Sequence, residues 1–193
     1  MYIEVAYKYL AGELVLEDWQ DAYLDFLING NEIFKPREEY EYSLIYLDDN
    51  EVPELFIQTD CHAGGELIAT YYNGELVVHN FARLGSEYIE RSGLVYTDTG
   101  HMDWYPVIIT KLENGVFYEI GAGVYYLSEE EHEKMMAGEP FDYILSYKWE
   151  DTIVSEEVFY EKIAELYDLE NSIYPSALCT YEDIMNQIIN TET

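Results

Sequence analysis

The hydrophobic positions near the start of the chain repeat with the period of a helix. Trp19, Tyr23, Phe26 and Leu27 are spaced so that they fall on one side of an α-helix, with polar residues between them. The pair Asn29-Gly30 follows directly and favours a helix end. The pattern therefore predicts one amphipathic helix near the N-terminus.

The middle of the chain has the apolar runs and turn residues of antiparallel strands. Asn73-Gly74 and Asn114-Gly115 each separate two apolar runs. Asn-Gly favours the positive φ angles of a two-residue hairpin turn. A third turn is predicted at Arg91-Ser92-Gly93, and Gly121-Ala122-Gly123 indicates a bulge or bend inside a strand.

Three further helices are predicted after these strands, each opened by a residue that can cap it. Ser128, Ser155 and Thr180 each stand before a segment with acidic residues in its first turn. A hydroxyl can accept a hydrogen bond from a free backbone N–H there, and the helix dipole favours the acidic residues. The first of these helices should end at Gly138, before Pro140.

These elements together predict an α+β protein with a single domain over residues 1–193. Its parts are an N-terminal helical segment over 1–42, an antiparallel β-meander over 43–128 and an acidic, mainly helical segment over 129–193 with one strand. Strands expected besides the hairpins lie at 43–47, 54–58 and 143–149, which gives the meander about six to eight strands.

The charge of the chain is its most unusual property. Forty Asp and Glu stand against nine Lys and Arg, a formal net charge of −31. Because 49% of the residues are apolar and 21 are Tyr, the composition excludes a disordered acidic tail. Such a field attracts basic partners and repels nucleic acid and anionic membranes. No segment approaches the ~20 apolar residues of a membrane span.

The charge is concentrated toward the two ends of the chain. Residues 1–60 carry a net charge of −12, residues 61–128 carry −5 and residues 129–193 carry −14. A docking surface is therefore expected over residues 13–60 and 129–170. The candidate partner-binding carboxylates named within it are Glu129, Glu130, Glu131, Glu133, Glu156, Glu157, Glu161 and Glu165. The expected partner is a basic protein surface, for example that of a nucleic-acid-binding enzyme, and the oligomeric state is left open.

The N-terminal segment and the cysteines bear on the compartment. Met1 to Lys8 lacks a basic region followed by an apolar one, so no signal peptide is predicted. Cys61 and Cys179 are the only cysteines and do not make a disulfide scaffold. A cytoplasmic location is expected, and an exported protein whose leader has been removed is the alternative.

One segment has the residues of a metal-binding loop. Between two predicted strands, Asp48-Asp49-Asn50-Glu51-Val52-Pro53-Glu54-Leu55 places oxygen side chains at alternating positions. It resembles the Asp-x-Asp-x-Asp-Gly-x-Pro-Glu-Leu segment of a group of small Gram-positive proteins, most of them uncharacterised, and the calcium loops of propeller-blade and dockerin-like repeats. The resemblance implies a shared fold, Asp48, Asn50 and Glu54 as ligands, and an exported protein, since many of that group look secreted or lipid-anchored.

The same segment departs from the calcium pattern at two positions. Tyr46 stands where the first Asp of the pattern would be, and Glu51 stands where the turn Gly would be. Calcium takes six to eight oxygens, and its tight loop needs that Gly. Two interpretations follow: a turn whose Asp and Asn side chains bond to their own backbone, which we place first, and a degenerate calcium site. No other cofactor is expected.

The remaining reactive residues do not form a catalytic set. Cys61 and His62 are adjacent, so on an extended segment their side chains point apart. His101 and Asp103 could join His62 or His79 in a transition-metal site, although no established metal-ligand spacing is present. The prediction is that the protein is not an enzyme.

Two functional hypotheses remain from the sequence. The first is a folded nucleic-acid mimic that docks its carboxylates on the basic channel of a nuclease or another nucleic-acid-binding protein. Some inhibitors encoded by phages and mobile elements, among them some anti-CRISPR proteins, act in this way. The second is a cell-envelope binding domain of unknown ligand with a relic calcium loop.

Overall fold

The computed structural model describes residues 4–31, 34–100 and 103–192. The helices of this part are α1 (Glu4–Leu10), α2 (Asp18–Asn29), α3 (Glu129–Ala137), α4 (Glu156–Leu166) and α5 (Tyr181–Asn190). The strands are β1 (Glu41–Ile45), β2 (Glu54–Gln58), β3 (Glu66–Tyr72), β4 (Glu75–Phe81), β5 (Ser86–Ile89), β6 (Leu94–Asp98), β7 (Trp104–Glu113), β8 (Val116–Leu127), β9 (Leu145–Trp149) and β10 (Thr152–Val154). The predicted α+β class, with a helix before the strands and helices after them, is confirmed.

The strands form two antiparallel sheets. A four-stranded sheet has the order β1-β2-β3-β4, and a six-stranded sheet has the order β10-β9-β8-β7-β6-β5. The chain leaves the first sheet after Phe81, where the buried Glu66 carboxylate of β3 accepts hydrogen bonds from the backbone N–H groups of Gly85 (2.9 Å) and Ser86 (2.8 Å). These two bonds fix the start of the second sheet against the first.

The predicted hairpin turns are all present. Asn73 and Asn114 have φ angles of 51° and 53°, and each is followed by a glycine with positive φ. They join β3 to β4 and β7 to β8. Arg91, with φ 57°, lies in the turn between β5 and β6.

The molecule has four layers. The helices α1, α2 and α5 pack on one face of the four-stranded sheet through residues such as Tyr23, Leu55 and Ile184. The other face of that sheet packs against the six-stranded sheet through Phe56, Val95 and their neighbours. Helix α4 covers the outer face of the six-stranded sheet. The outer layers are therefore helical, at opposite sides of a two-sheet core.

The predicted helix caps are also confirmed. The Ser128, Ser155 and Thr180 hydroxyls accept hydrogen bonds from the third backbone N–H of α3, α4 and α5. Helix α3 ends at Gly138, which adopts the left-handed conformation. Helix α1 has no counterpart among the predictions, because its seven residues are too few to show a periodic pattern.

Helix α4 lies close to the six-stranded sheet because β8 has glycines beneath it. The pairing of β7 with β8 shifts register between Ile109 and Thr110, beside Gly121, which is the predicted bulge. A Cβ atom at Gly123 would lie 2.5 Å from the Phe159 ring, and one at Gly121 would lie 2.5 Å from Leu166. Both positions therefore leave room for the buried face of α4.

The segment before α5 covers one edge of each sheet. Ile173 pairs with Tyr88 of β5, and Cys179 pairs with Tyr42 of β1. Within the described residues, the outer edges of β4 and β10 carry no further strand. None of the helices in these residues is long and apolar enough to cross a membrane.

Candidate functional site

The Asp48–Glu54 loop is held by its own side chains. Asp48 Oδ1 accepts a hydrogen bond from the backbone N–H of Asn50 (3.0 Å). Asn50 Oδ1 in turn accepts one from the backbone N–H of Val52 (2.6 Å). These are the side-chain-to-backbone bonds that the turn interpretation predicts.

Glu54, the third candidate calcium ligand, turns into the protein. Glu54 is only 1% exposed. Its carboxylate accepts hydrogen bonds from the backbone N–H of Leu47 (2.8 Å) and from the Thr70 hydroxyl (3.2 Å). Burial, and to a lesser degree the charge of Asp48, raises the pKa of the Glu54 carboxyl to about 7. The residue thus joins β1, β2 and β3 across the four-stranded sheet.

The three candidate ligands are therefore engaged in different ways. Asp48 and Asn50 lie in the turn, whereas the Glu54 oxygens face Leu47 and Thr70 in the core. In the described ranges, no group of three or more His, Cys, Asp or Glu side chains is arranged to hold a metal ion. Calcium binding stays a prediction, and a test of it is given below.

The candidate carboxylates of α3 do not all face solvent. Glu129, Glu130 and Glu133 are exposed. Glu131 is 3% exposed, and its carboxylate accepts hydrogen bonds from the Lys134 ammonium (2.6 Å) and the backbone N–H of Asp142 (2.6 Å). Glu131 thus holds the segment after α3 in place, and its buried carboxylate is not accessible to a partner protein.

The candidate carboxylates of α4 form a continuous exposed row. Glu157, Glu161 and Glu165 are exposed and four residues apart, so they lie on the same side of the helix. The opposite side is buried through Phe159 and Ile163. We call Glu157, Glu161 and Glu165 the α4 acidic row.

Lys162 reduces the charge of this row at its C-terminal end. Glu165 is 2.8 Å from the Lys162 ammonium, an exposed pair. Glu156 accepts a hydrogen bond from the Tyr147 hydroxyl (2.9 Å). Glu157 and Glu161 are consequently the most available carboxylates of α4.

A second exposed acidic surface lies on the other outer layer. Asp18, Asp21 and Asp25 of α2 are exposed, while Trp19, Tyr23 and Phe26 of the same helix are buried. All three lie in the 13–60 part of the docking surface expected from the sequence, although none of them is among the named candidate carboxylates. They provide a matched comparison for the α4 acidic row.

Two histidines have aromatic or acidic neighbours. The His79 ring stacks on Phe117 (centroids 4.9 Å apart) and meets Phe81 edge-on. Burial lowers the pKa of His79. His132 Nδ1 contacts the carboxylate of Asp103, the residue that the sequence offers as a metal ligand together with His101. His101 lies outside the described residues, and Cys61 lies exposed in the loop before β3.

A cleft between the two sheets was not anticipated from the sequence. It has a volume of about 420 Å³ and lies between β4 on one side and β6, β7 and β8 on the other. Its described lining consists of His79, Asn80, Phe81, Ala82, Arg83, Thr97, Thr99, Trp104, Pro106, Ile108, Thr110, Phe117, Tyr118 and Glu119. We call it the inter-sheet cleft. Residues from four strands and two connecting loops meet there, so no local pattern could have revealed it.

Comparison with known proteins assigns no family. No family model, no curated protein and no solved structure matches the chain. The resemblance carried by the Asp48–Leu55 segment therefore stays a prediction. The features that bear on function are the net charge, the α4 acidic row and the inter-sheet cleft.

Proposed function

We propose that the protein is a non-enzymatic acidic binding protein that docks on the basic surface of a nucleic-acid-binding protein and competes with nucleic acid for it. The observation that carries the proposal is the α4 acidic row, three exposed carboxylates on the outer side of a helix whose inner side is buried. A net charge of −31 adds a long-range field of the same sign.

The spacing and rigidity of the row suit this role. Residues four apart on a helix are about 6 Å apart along its axis. Duplex DNA has one charge per ~3.4 Å on each strand, so the row has one carboxylate for about every second phosphate of a strand. DNA-binding proteins place Lys and Arg to neutralise such an array. Because Phe159 and Ile163 anchor α4 to the six-stranded sheet, its carboxylates are presented with little ordering cost.

The test is a competition experiment with matched variants. A fluorescent duplex DNA is bound to each of a panel of basic nucleases, including an RNA-guided nuclease, and its displacement by this protein is titrated. The triple variant E157Q/E161Q/E165Q should displace the DNA at least ~10-fold less efficiently than the natural chain, because it removes the docking carboxylates.

The control carries the same change of charge on the opposite outer layer. The variant D18N/D21N/D25N also removes three negative charges, but from α2. It should retain displacement within ~3-fold, since it affects only the long-range field. Equal losses in the two variants would mean that α4 is not the docking surface. Failure of the natural chain to displace DNA from every nuclease would contradict the proposal.

A further inference from the structure

The inter-sheet cleft contains polar groups that the protein itself does not satisfy. Thr110 is only 4% exposed, and its hydroxyl makes no hydrogen bond to any described residue. Every fully buried side-chain nitrogen or oxygen in the described residues has a hydrogen-bond partner. The unbonded Thr110 hydroxyl is therefore not fully buried, and the small exposed part of this residue faces the cleft that it lines. A hydroxyl that reaches the cleft and bonds to none of the described residues is available to a ligand.

Arg83 gives the cleft a positive charge. It is half-buried in the connection after β4 and lines the cleft. Although the chain has 40 acidic residues, Arg83 forms no ion pair and no side-chain hydrogen bond with the described residues. An arginine that pairs with none of the described residues can bind a carboxylate in two-point contact.

The rest of the lining is suited to a flat apolar body. Phe81, Phe117 and Ile108 supply apolar surface, and Trp104, 52% exposed, stands at the mouth and stacks on Tyr126. The cleft volume of about 420 Å³ lies within the range of small-molecule sites. Glu119 is exposed on the same lining and forms no ion pair with Arg83.

We propose that the inter-sheet cleft binds a small aromatic carboxylic acid whose carboxylate pairs with Arg83 and whose flat body lies against the aromatic wall. A further polar atom on that body bonds to the Thr110 hydroxyl. The net charge of the protein repels anions in general, so recognition of this acid depends on the local cation. The site is independent of the α4 acidic row.

The test measures the affinity of defined probes by calorimetry. 6-Hydroxy-2-naphthoate should bind the natural chain, and its neutral amide should bind at least ~10-fold more weakly. Arg83→Gln should weaken the acid by ~10-fold or more and leave the amide within ~2-fold. Thr110→Val, which keeps the shape of the side chain, should weaken 6-hydroxy-2-naphthoate by about 5-fold but not 2-naphthoate.

Arg37→Gln is the charge-matched control, because Arg37 lies over Tyr40, away from the cleft lining. It should leave the affinity for every probe unchanged. The proposal is overturned if the acid does not bind the natural chain at ~1 mM, if the acid and the amide bind equally, or if Arg83→Gln behaves like Arg37→Gln. Equal effects of Thr110→Val on the two acids would overturn the assignment of Thr110.

Discussion

Glu54 is the residue whose environment differs most from its expected role. The sequence places it at the end of an acidic loop, whereas the structure places its carboxylate in the core beside Leu47 and Thr70. Glu54 is the first residue of β2, in which it and the next three residues are all buried, and an acidic pattern along the loop does not show this. Tyr23, which lies under the same loop, donates hydrogen bonds to the Pro53 carbonyl (2.8 Å) and the Ala69 carbonyl (3.1 Å).

The buried Glu54 carboxyl should make stability depend on pH. Because its pKa is raised from 4.5 to about 7 in the folded state, the ionised form destabilises the fold. The penalty is absent below about pH 4.5, grows as the pH rises to about 7 and is then constant, and amounts to about 3 kcal/mol. Urea unfolding of the natural chain and Glu54→Gln should show a stability difference that changes by about 2.5 kcal/mol between ~pH 5 and ~pH 8.

The exposed Glu157→Gln variant controls for the loss of one charge. If the difference between the natural chain and Glu54→Gln is the same at both pH values, the carboxyl is not held in the environment described. If the natural chain gains stability relative to Glu54→Gln as the pH rises, the sign of the effect is reversed and the burial argument fails.

The Asp48–Glu54 loop should fold without calcium. Its Asp48 and Asn50 oxygens already hold backbone N–H groups, and Glu54 faces the core. We therefore expect millimolar calcium to leave the melting temperature of the natural chain unchanged, and Asp48→Ala to lower it equally with and without calcium. A rise in melting temperature with calcium that Asp48→Ala abolishes would establish the metal site instead.

Among the helices and strands, short sequence signals predicted most of the helix starts and hairpin turns that the structure contains. Capping hydroxyls and Asn-Gly turns act within a few residues, so Ser128, Ser155, Asn73 and Asn114 marked real helix starts and hairpins. The split into two sheets depends on bonds from Glu66 to the distant Gly85 and Ser86, which no local pattern encodes. The cleft was missed for the same reason.

The contact between α4 and β8 should tolerate no extra atom. A Cβ at Gly123 would lie 2.5 Å and 2.8 Å from the rings of Phe159 and Trp149, both buried. Gly123→Ala should therefore reduce the free energy of unfolding by about 1–3 kcal/mol. The double variant with Phe159→Leu should lose less than the sum of the two single losses, since the smaller side chain makes room. Strict additivity would show that the two residues do not meet.

Most of the negative charge of the protein lies on its surface, outside a well-formed core. Both outer layers expose acidic helix faces. Among the described residues the buried carboxylates are Glu54, Glu66 and Glu131, and each has hydrogen-bond partners. Composition correctly indicated a folded acidic surface, but it could not separate Glu131 from its exposed neighbours. That distinction depends on the contact of α3 with the segment after it.

The most direct test of the proposed function is the salt dependence of DNA displacement from a basic nuclease by the natural chain. If docking occurs through carboxylates, the concentration of this protein that displaces half of the DNA should rise steeply between ~50 mM and ~300 mM salt. The value at each salt concentration is corrected for the affinity of the nuclease for DNA at that salt. The rise should be smaller in E157Q/E161Q/E165Q. If this concentration does not depend on salt, or if no DNA is displaced at the lowest salt, the protein does not dock through its carboxylates.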